Sequence, residues 1–159
     1  MARTPETRAA SPRIRSLKAE DLPEVVRIDG LHTGLRKRAY WNQVLERFLK
    51  RSGRAARIGL ALEAQKGLAG YLLGEVRAFE FGSEPCGWIF AIGVDPNSGR
   101  QGVASLLLAE AVARFEAQGV PRIRTMVRRN EVPVLAFFRS NGFRGGPFVQ
   151  LELDIEEVS

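Results

Sequence analysis

One stretch constrains this chain more than any other. Residues 88–94 are apolar apart from Gly93, and they run without interruption into the turn Asp95-Pro96-Asn97-Ser98-Gly99. The turn then feeds a long helical pattern, expected over residues 101–118 and stopped by Gly119. A strand, a glycine turn and a helix N-terminus in that order build an anion site. The first N–H groups of a helix have no acceptor within it, and the aligned peptide dipoles leave a partial positive charge there. The expected ligand carries phosphate.

The rest of the chain frames that stretch as an α+β domain. Residues 13–17 alternate and predict a first strand. A helix follows from Lys18, with Glu20, Asp21 and Pro23 in its first turn, and is expected to stop near Gly30. His32 then falls in a break. Residues 37–50 place Tyr40, Trp41, Val44, Leu45, Phe48 and Leu49 at helical spacing. Three runs, 57–64, 68–81 and 87–94, are punctuated by Gly67 and by Gly82-Ser83-Glu84-Pro85, which predicts an antiparallel meander. Beyond the long helix come a strand at 121–127, a short helix closed by Gly142, and a final strand pair over 143–155. An antiparallel block followed by a βαβ unit predicts a mixed, mostly antiparallel sheet flanked by helices, not a doubly wound fold. Residues 13–159 are read as a single domain, and residues 1–12 as a disordered N-terminal segment.

Composition narrows the function class. The chain has 159 residues, 45% hydrophobic and 26% charged, which excludes fibrous and disordered classes. The net charge is +6, and only four of the 24 basic residues are Lys. Arg suits phosphate and carboxylate recognition. The Arg residues are scattered, with no recognition motif beside them, which argues against nucleic-acid binding. The single cysteine, Cys86, precludes an internal disulfide and fits a cytoplasmic setting, where it packs as a small hydrophobe. No apolar run approaches the roughly 18–20 residues of a membrane helix. No metal site is expected.

Two nucleotide fingerprints fail in the turn. It has no Lys for a phosphate-binding NTPase loop, and Gly99-Arg100-Gln101-Gly102-Val103-Ala104 is not a dinucleotide motif. The stretch instead resembles the pyrophosphate loop of the GCN5-related N-acetyltransferases (GNAT). Val94-Asp95-Pro96 supplies their turn, Arg100 is a frequent occupant of its slot, and Gly102 and Ala104 match the two small positions. Gly99 replaces the usual Gln or Arg. The helix containing Phe137-Phe138 and ending in Gly142-Phe143 resembles the second signature, and the element order over residues 13–155 is also the family's.

The resemblance implies a GNAT-like fold that transfers acetyl from acetyl-CoA to a primary amine on a protein, peptide or small molecule. The pantetheine arm would lie along Ile92, Gly93 and Val94. The pyrophosphate would sit on Arg100, Gln101, Gly102, Val103, Ala104 and Ser105. Asn130 and Phe138 would complete the cofactor side, with Phe138 standing where the family has a proton-donating Tyr. Trp88 occupies the slot of the usual Glu base. Glu80, Glu84 and Glu131 remain alternatives, but Glu75 is favoured as base because it interrupts an apolar run. His32 and Tyr40 would line the acceptor wall, although helical spacing also suits Tyr40 and Trp41 to the core. A catalytically weak acyl-CoA-binding sensor is the alternative reading. Exposed C-terminal strands would allow pairing as a homodimer.

Overall fold

The computed structural model describes residues 11–50, 56–98 and 102–158. They fall into two compact units, one up to Met126 and one from Val127 onward. The first unit holds strand β1 (Ile14–Ser16), helices α1 (Leu22–Thr33) and α2 (Arg38–Leu49), and strands β2 (Arg57–Glu63), β3 (Leu68–Arg77) and β4 (Cys86–Val94). Helix α3 (Val103–Ala117) and strand β5 (Ile123–Arg124) complete it. The five strands form one sheet in the order β1-β2-β3-β4-β5, antiparallel except for the parallel β4–β5 pair. The expected mixed, mostly antiparallel sheet is therefore the observed one.

Strand alternation divides the core. Tyr71 and Leu73 of β3 pack with Val25, Ile28, Trp41 and Phe48 of α1 and α2. The even-numbered positions of β3 face α3 on the other side. Gly70 lies against Val103 and Leu107, and Gly74 against Phe115. Glycines on that face let α3 settle close to the strands.

An ion-pair network joins β1 to its neighbours. Arg15 forks onto Asp21 at 2.8 and 2.9 Å and donates to Glu63 of β2 at 2.6 Å. The Lys18 N–H donates to Asp21 as well. Burial pushes the Asp21 carboxyl up, but Arg15 and the Lys18 N–H more than reverse this and hold it below its ordinary 3.8. A carboxyl depressed in the folded state contributes stability above its unfolded pKa. That contribution is lost as pH falls through the folded value. Asp21→Asn is therefore expected to lower unfolding free energy by about 2 kcal/mol at pH 7. The gap from wild type should narrow below about pH 4, as urea unfolding at pH 7 and pH 3 will show.

Three expected boundaries move. Helix α1 does not stop at Gly30 but runs to Thr33, because Gly34 at φ 74° closes it with its N–H on the Gly30 carbonyl. His32 thus stands on the last turn of α1, not in a break. Strand β5 is two residues long instead of spanning 121–127, since only Gly87 and Trp88 of β4 pair with it. In the second unit, residues 143–154 form no strand, and Ile155–Val158 is helical. The alternation there is real, but strands require a partner ladder, and Val149, Leu151 and Leu153 stay exposed. The strands expected to support a homodimer are therefore missing.

Candidate functional site

The site begins at an irregularity in β4. Leu73 pairs with Ala91 and Gly74 with Ile89, so Phe90 is an extra residue without a partner. Such a bulge bends its strand. Pairing of β4 with β5 ends at Trp88, and the Thr125 hydroxyl caps the ladder by donating to the Ile89 carbonyl at 2.9 Å. From Phe90 onward, no described strand of this unit runs beside that edge of β4.

Backbone alternation says which groups line the open edge. The Asp95 N–H donates to the Ala69 carbonyl of β3 at 2.8 Å. Alternate residues Gly93 and Ala91 therefore also turn toward β3, and Ile92 and Val94 turn outward. Of the expected trio, Ile92 and Val94 present backbone groups to the opening and Gly93 does not. Gly93 serves packing, because a Cβ there would lie 2.5 Å from the Tyr71 ring. His32 Nε2 donates to the outward Val94 carbonyl at 2.6 Å, so its ring reaches the end of β4.

The turn after β4 is pinned from a distance. Asp95 is buried and accepts the Asn97 N–H at 2.8 Å and Arg27 of α1 at 2.9 Å. Arg27 also holds Glu24 and the Leu68 carbonyl. Burial raises the Asp95 pKa, yet the Asn97 N–H and Arg27 outweigh it and keep the carboxyl below the usual range. Arg100 and Gln101 lie outside the described residues. Gly102 stands at φ 75° and caps α3. The first bond of the helix runs from the Leu106 N–H to the Gly102 carbonyl. The N–H groups of Val103, Ala104 and Ser105 thus lack acceptors within α3. The Val103 side chain is buried, whereas Ser105 is exposed.

A second cluster lies on the sheet face that carries α1 and α2. Glu75 sits between Arg57 on β2 and Trp88 on β4. Its Oε1 accepts from Arg77 at 3.2 Å, and the Arg77 guanidinium lies 5.0 Å from the Trp88 ring. Phe90 is 42% exposed and meets Phe48 of α2 edge-on at 5.8 Å. Trp41 is a core residue whose indole donates to Asp29 at 2.9 Å. Tyr40 is exposed, with Lys37 5.7 Å from its ring.

In the second unit, Phe138 of α4 (Val132–Ser140) is buried between Phe137 and Phe143 at 5.1 and 5.0 Å. Asn130 is exposed in the turn before α4. Sequence reasoning missed Phe90, Thr125 and the Arg27–Asp95 bond. Gly93 inside the strand is a local sign of a bulge or a close backbone approach; the close approach, to Tyr71, is at Gly93, and the bulge is three residues earlier, at Phe90. Among the described residues, no three His, Cys, Asp or Glu side chains gather as a metal site, and no helix is long and apolar enough to cross a membrane.

Known proteins share this fold. The model of the Acetyltransferase (GNAT) family matches residues 17–143. No curated protein sequence matches the chain significantly. An aminoglycoside N-acetyltransferase solved in complex with CoA superposes with a TM-score of 0.77 at 16% identity, covering 94% of this chain and 99% of that one. A ribosomal-protein-alanine N-acetyltransferase from Brucella melitensis biovar Abortus gives 0.71 at 14% identity over 92% and 100%. A transcriptional regulator from Bacillus halodurans gives 0.75 at 16% identity over 91% and 100%. Identities this low carry the fold and nothing finer.

Proposed function

Because the chain belongs to the acetyltransferase (GNAT) family, we propose that it transfers an acetyl group from acetyl-CoA directly to a primary amine. The observation that carries this reading is the continuity of two features. The outward backbone of Ile92 and Val94 leads through the Asp95 turn into the acceptor-free N–H groups of α3. The residues fit the cofactor. An extended amide arm adds to a strand edge by backbone hydrogen bonds, here to Ile92 and the Val94 N–H, since the Val94 carbonyl accepts from His32, and a pyrophosphate suits the N–H groups of Val103, Ala104 and Ser105. Among the described residues, a Cβ at Gly102 would meet nothing within 4 Å. Arg100 and Gln101 are assigned beside them on the family loop alone. Acetyl-CoA supplies the activated acyl group.

The remaining work falls to the chain's own side chains. An alkylammonium, with a pKa of about 10, must lose a proton before its nitrogen attacks. Glu75 is the assigned acceptor of that proton, through Oε2, since Arg77 engages Oε1. Phe138 has no proton to give a departing thiolate. Asn130, His32 and Tyr40 keep their assignments to the cofactor arm and the acceptor wall as proposals. His32 acts there by fixing the Val94 carbonyl.

A thiol-release assay over a panel of amines and peptides, paired with calorimetry for acetyl-CoA, tests this. Turnover is expected, and Glu75→Gln should cut kcat about 100-fold with little change in acetyl-CoA affinity. Tight acetyl-CoA binding with no thiol release from any amine would favour the second reading, a regulatory acyl-CoA-binding module. The Arg77 bond to Glu75 and the aprotic Phe138 are the observations behind that second reading.

A further inference from the structure

The cluster around Glu75 speaks to the acceptor's charge. Trp88, Glu75 and Glu80 together make the kind of box that holds an ammonium, an aromatic face with carboxylates beside it. That box is already filled by the protein itself. Arg77 lies over Trp88, bonds Glu75 at 3.2 Å and approaches Glu80 at 4.0 Å. Its guanidinium takes the cation position and offsets one of the two carboxylate charges, so a polycation gains little there beyond what the single amine at Glu75 requires.

The same face continues into a basic surface. Arg57 is the direct cross-strand neighbour of Glu75. Its guanidinium carbon stands 5.9 Å from the Phe48 ring, and that ring lies 5.8 Å from Phe90 at the bulge. Arg57 donates to the Arg47 carbonyl at the C-terminal end of α2. There, Gln43, Glu46, Arg47, Lys50 and Arg57 line a surface depression of about 290 Å³. Three cations face one carboxylate in it. Two ring-sized steps therefore separate the bulge, where the β4 edge opens, from a positively charged depression.

We propose that the acceptor bears an anionic group, a carboxylate or phosphate, beside its amine, and that Arg57 with Arg47 and Lys50 receives it. The inference rests on the transfer reading above and deepens it. It separates this chain from the aminoglycoside enzymes that share its fold, whose substrates are polycations. Arg57 is the specificity-determining residue, because among the described residues it alone belongs to both the Glu75 face and the depression.

Matched acceptors test this with the full chain and acetyl-CoA: trialanine as free acid and as C-terminal amide, phosphoethanolamine against ethanolamine, and spermidine and sisomicin as polycations. The anionic member of each pair is expected to lead in kcat/KM by at least about tenfold. The carboxylate and phosphate pairs distinguish the two anion sources. Arg57→Gln should erase most of that preference and Arg57→Lys should restore part of it. A lead for the amide, spermidine or sisomicin overturns the proposal, as does a preference that survives in both Arg57→Gln and Lys50→Gln. If no amine releases thiol, the transfer reading fails by itself. The Arg57 Nε–H resonance then decides: a shift with the free acid and not the amide sustains the anion site, and no shift with either overturns it.

Discussion

Phe115→Ala is expected to lower the unfolding free energy by about 4 kcal/mol, the loss seen when a buried Phe is emptied from a core. Phe115 is fully buried on α3, and its ring lies against both Gly74 of β3 and Gly87 of β4. A Cβ on either glycine would stand 3.0 or 2.9 Å from that ring, so ring and glycines are a matched set. Removing the ring leaves a cavity that a sheet, held by its ladder bonds, closes only in part. For a domain whose whole stability is about 5–15 kcal/mol, this is a large fraction. Urea unfolding measures it. Gly87→Ala should destabilise the wild type and cost less in the Phe115→Ala background, a coupling that a double-mutant cycle reads. A Phe115→Ala loss below about 1 kcal/mol would mean that α3 is not seated on those glycines.

Gly102→Val is expected to weaken acetyl-CoA binding about 100-fold while lowering the thermal midpoint by only a few degrees. At φ 75° an L residue carries about 1–2 kcal/mol of strain, and Val adds β-branching to it. Among the described residues, no atom within 4 Å opposes the new side chain, so the turn can shift without disturbing the core. The shift moves the N–H groups of Val103, Ala104 and Ser105, and hydrogen bonds to a charged group are worth about 1.5–3 kcal/mol each. Calorimetry against acetyl-CoA and against pantetheine, which lacks the pyrophosphate, separates the effects. Only the acetyl-CoA affinity should fall. An unchanged affinity would remove the α3 N-terminus from the site.

The features legible in the sequence are those whose cause is local. The meander between residues 57 and 94 shows as alternation and glycine punctuation, and the β4–α3 turn shows as Val94-Asp95-Pro96 followed by Gly102 and Ala104. Asp95 illustrates the limit. Its place in a turn is readable, but its partner Arg27 lies 68 residues away, and no local pattern announces the bond. Glu75 is similar. Its interruption of an apolar run marks it, yet only the strand register sets it between Arg57 and Trp88. Tyr40 and Trp41 are neighbours in one helical pattern, and packing alone made one exposed and the other core. The C-terminal alternation misled because a strand is a property of a pair.

The sequence by itself determined the fold class, the family and the passage of β4 through a glycine turn into the N-terminus of α3. Each of these depends on periodicity, on a glycine at positive φ, or on the orphan N–H groups every helix start possesses. Tertiary structure decided the rest. The bulge at Phe90 turned Ile92 and Val94 outward, Arg27 pinned the Asp95 turn, and Arg77 filled the aromatic box beside Glu75. Those outcomes depend on register and on contacts between residues distant in the chain, where a one-residue change of pairing reverses which face a group occupies.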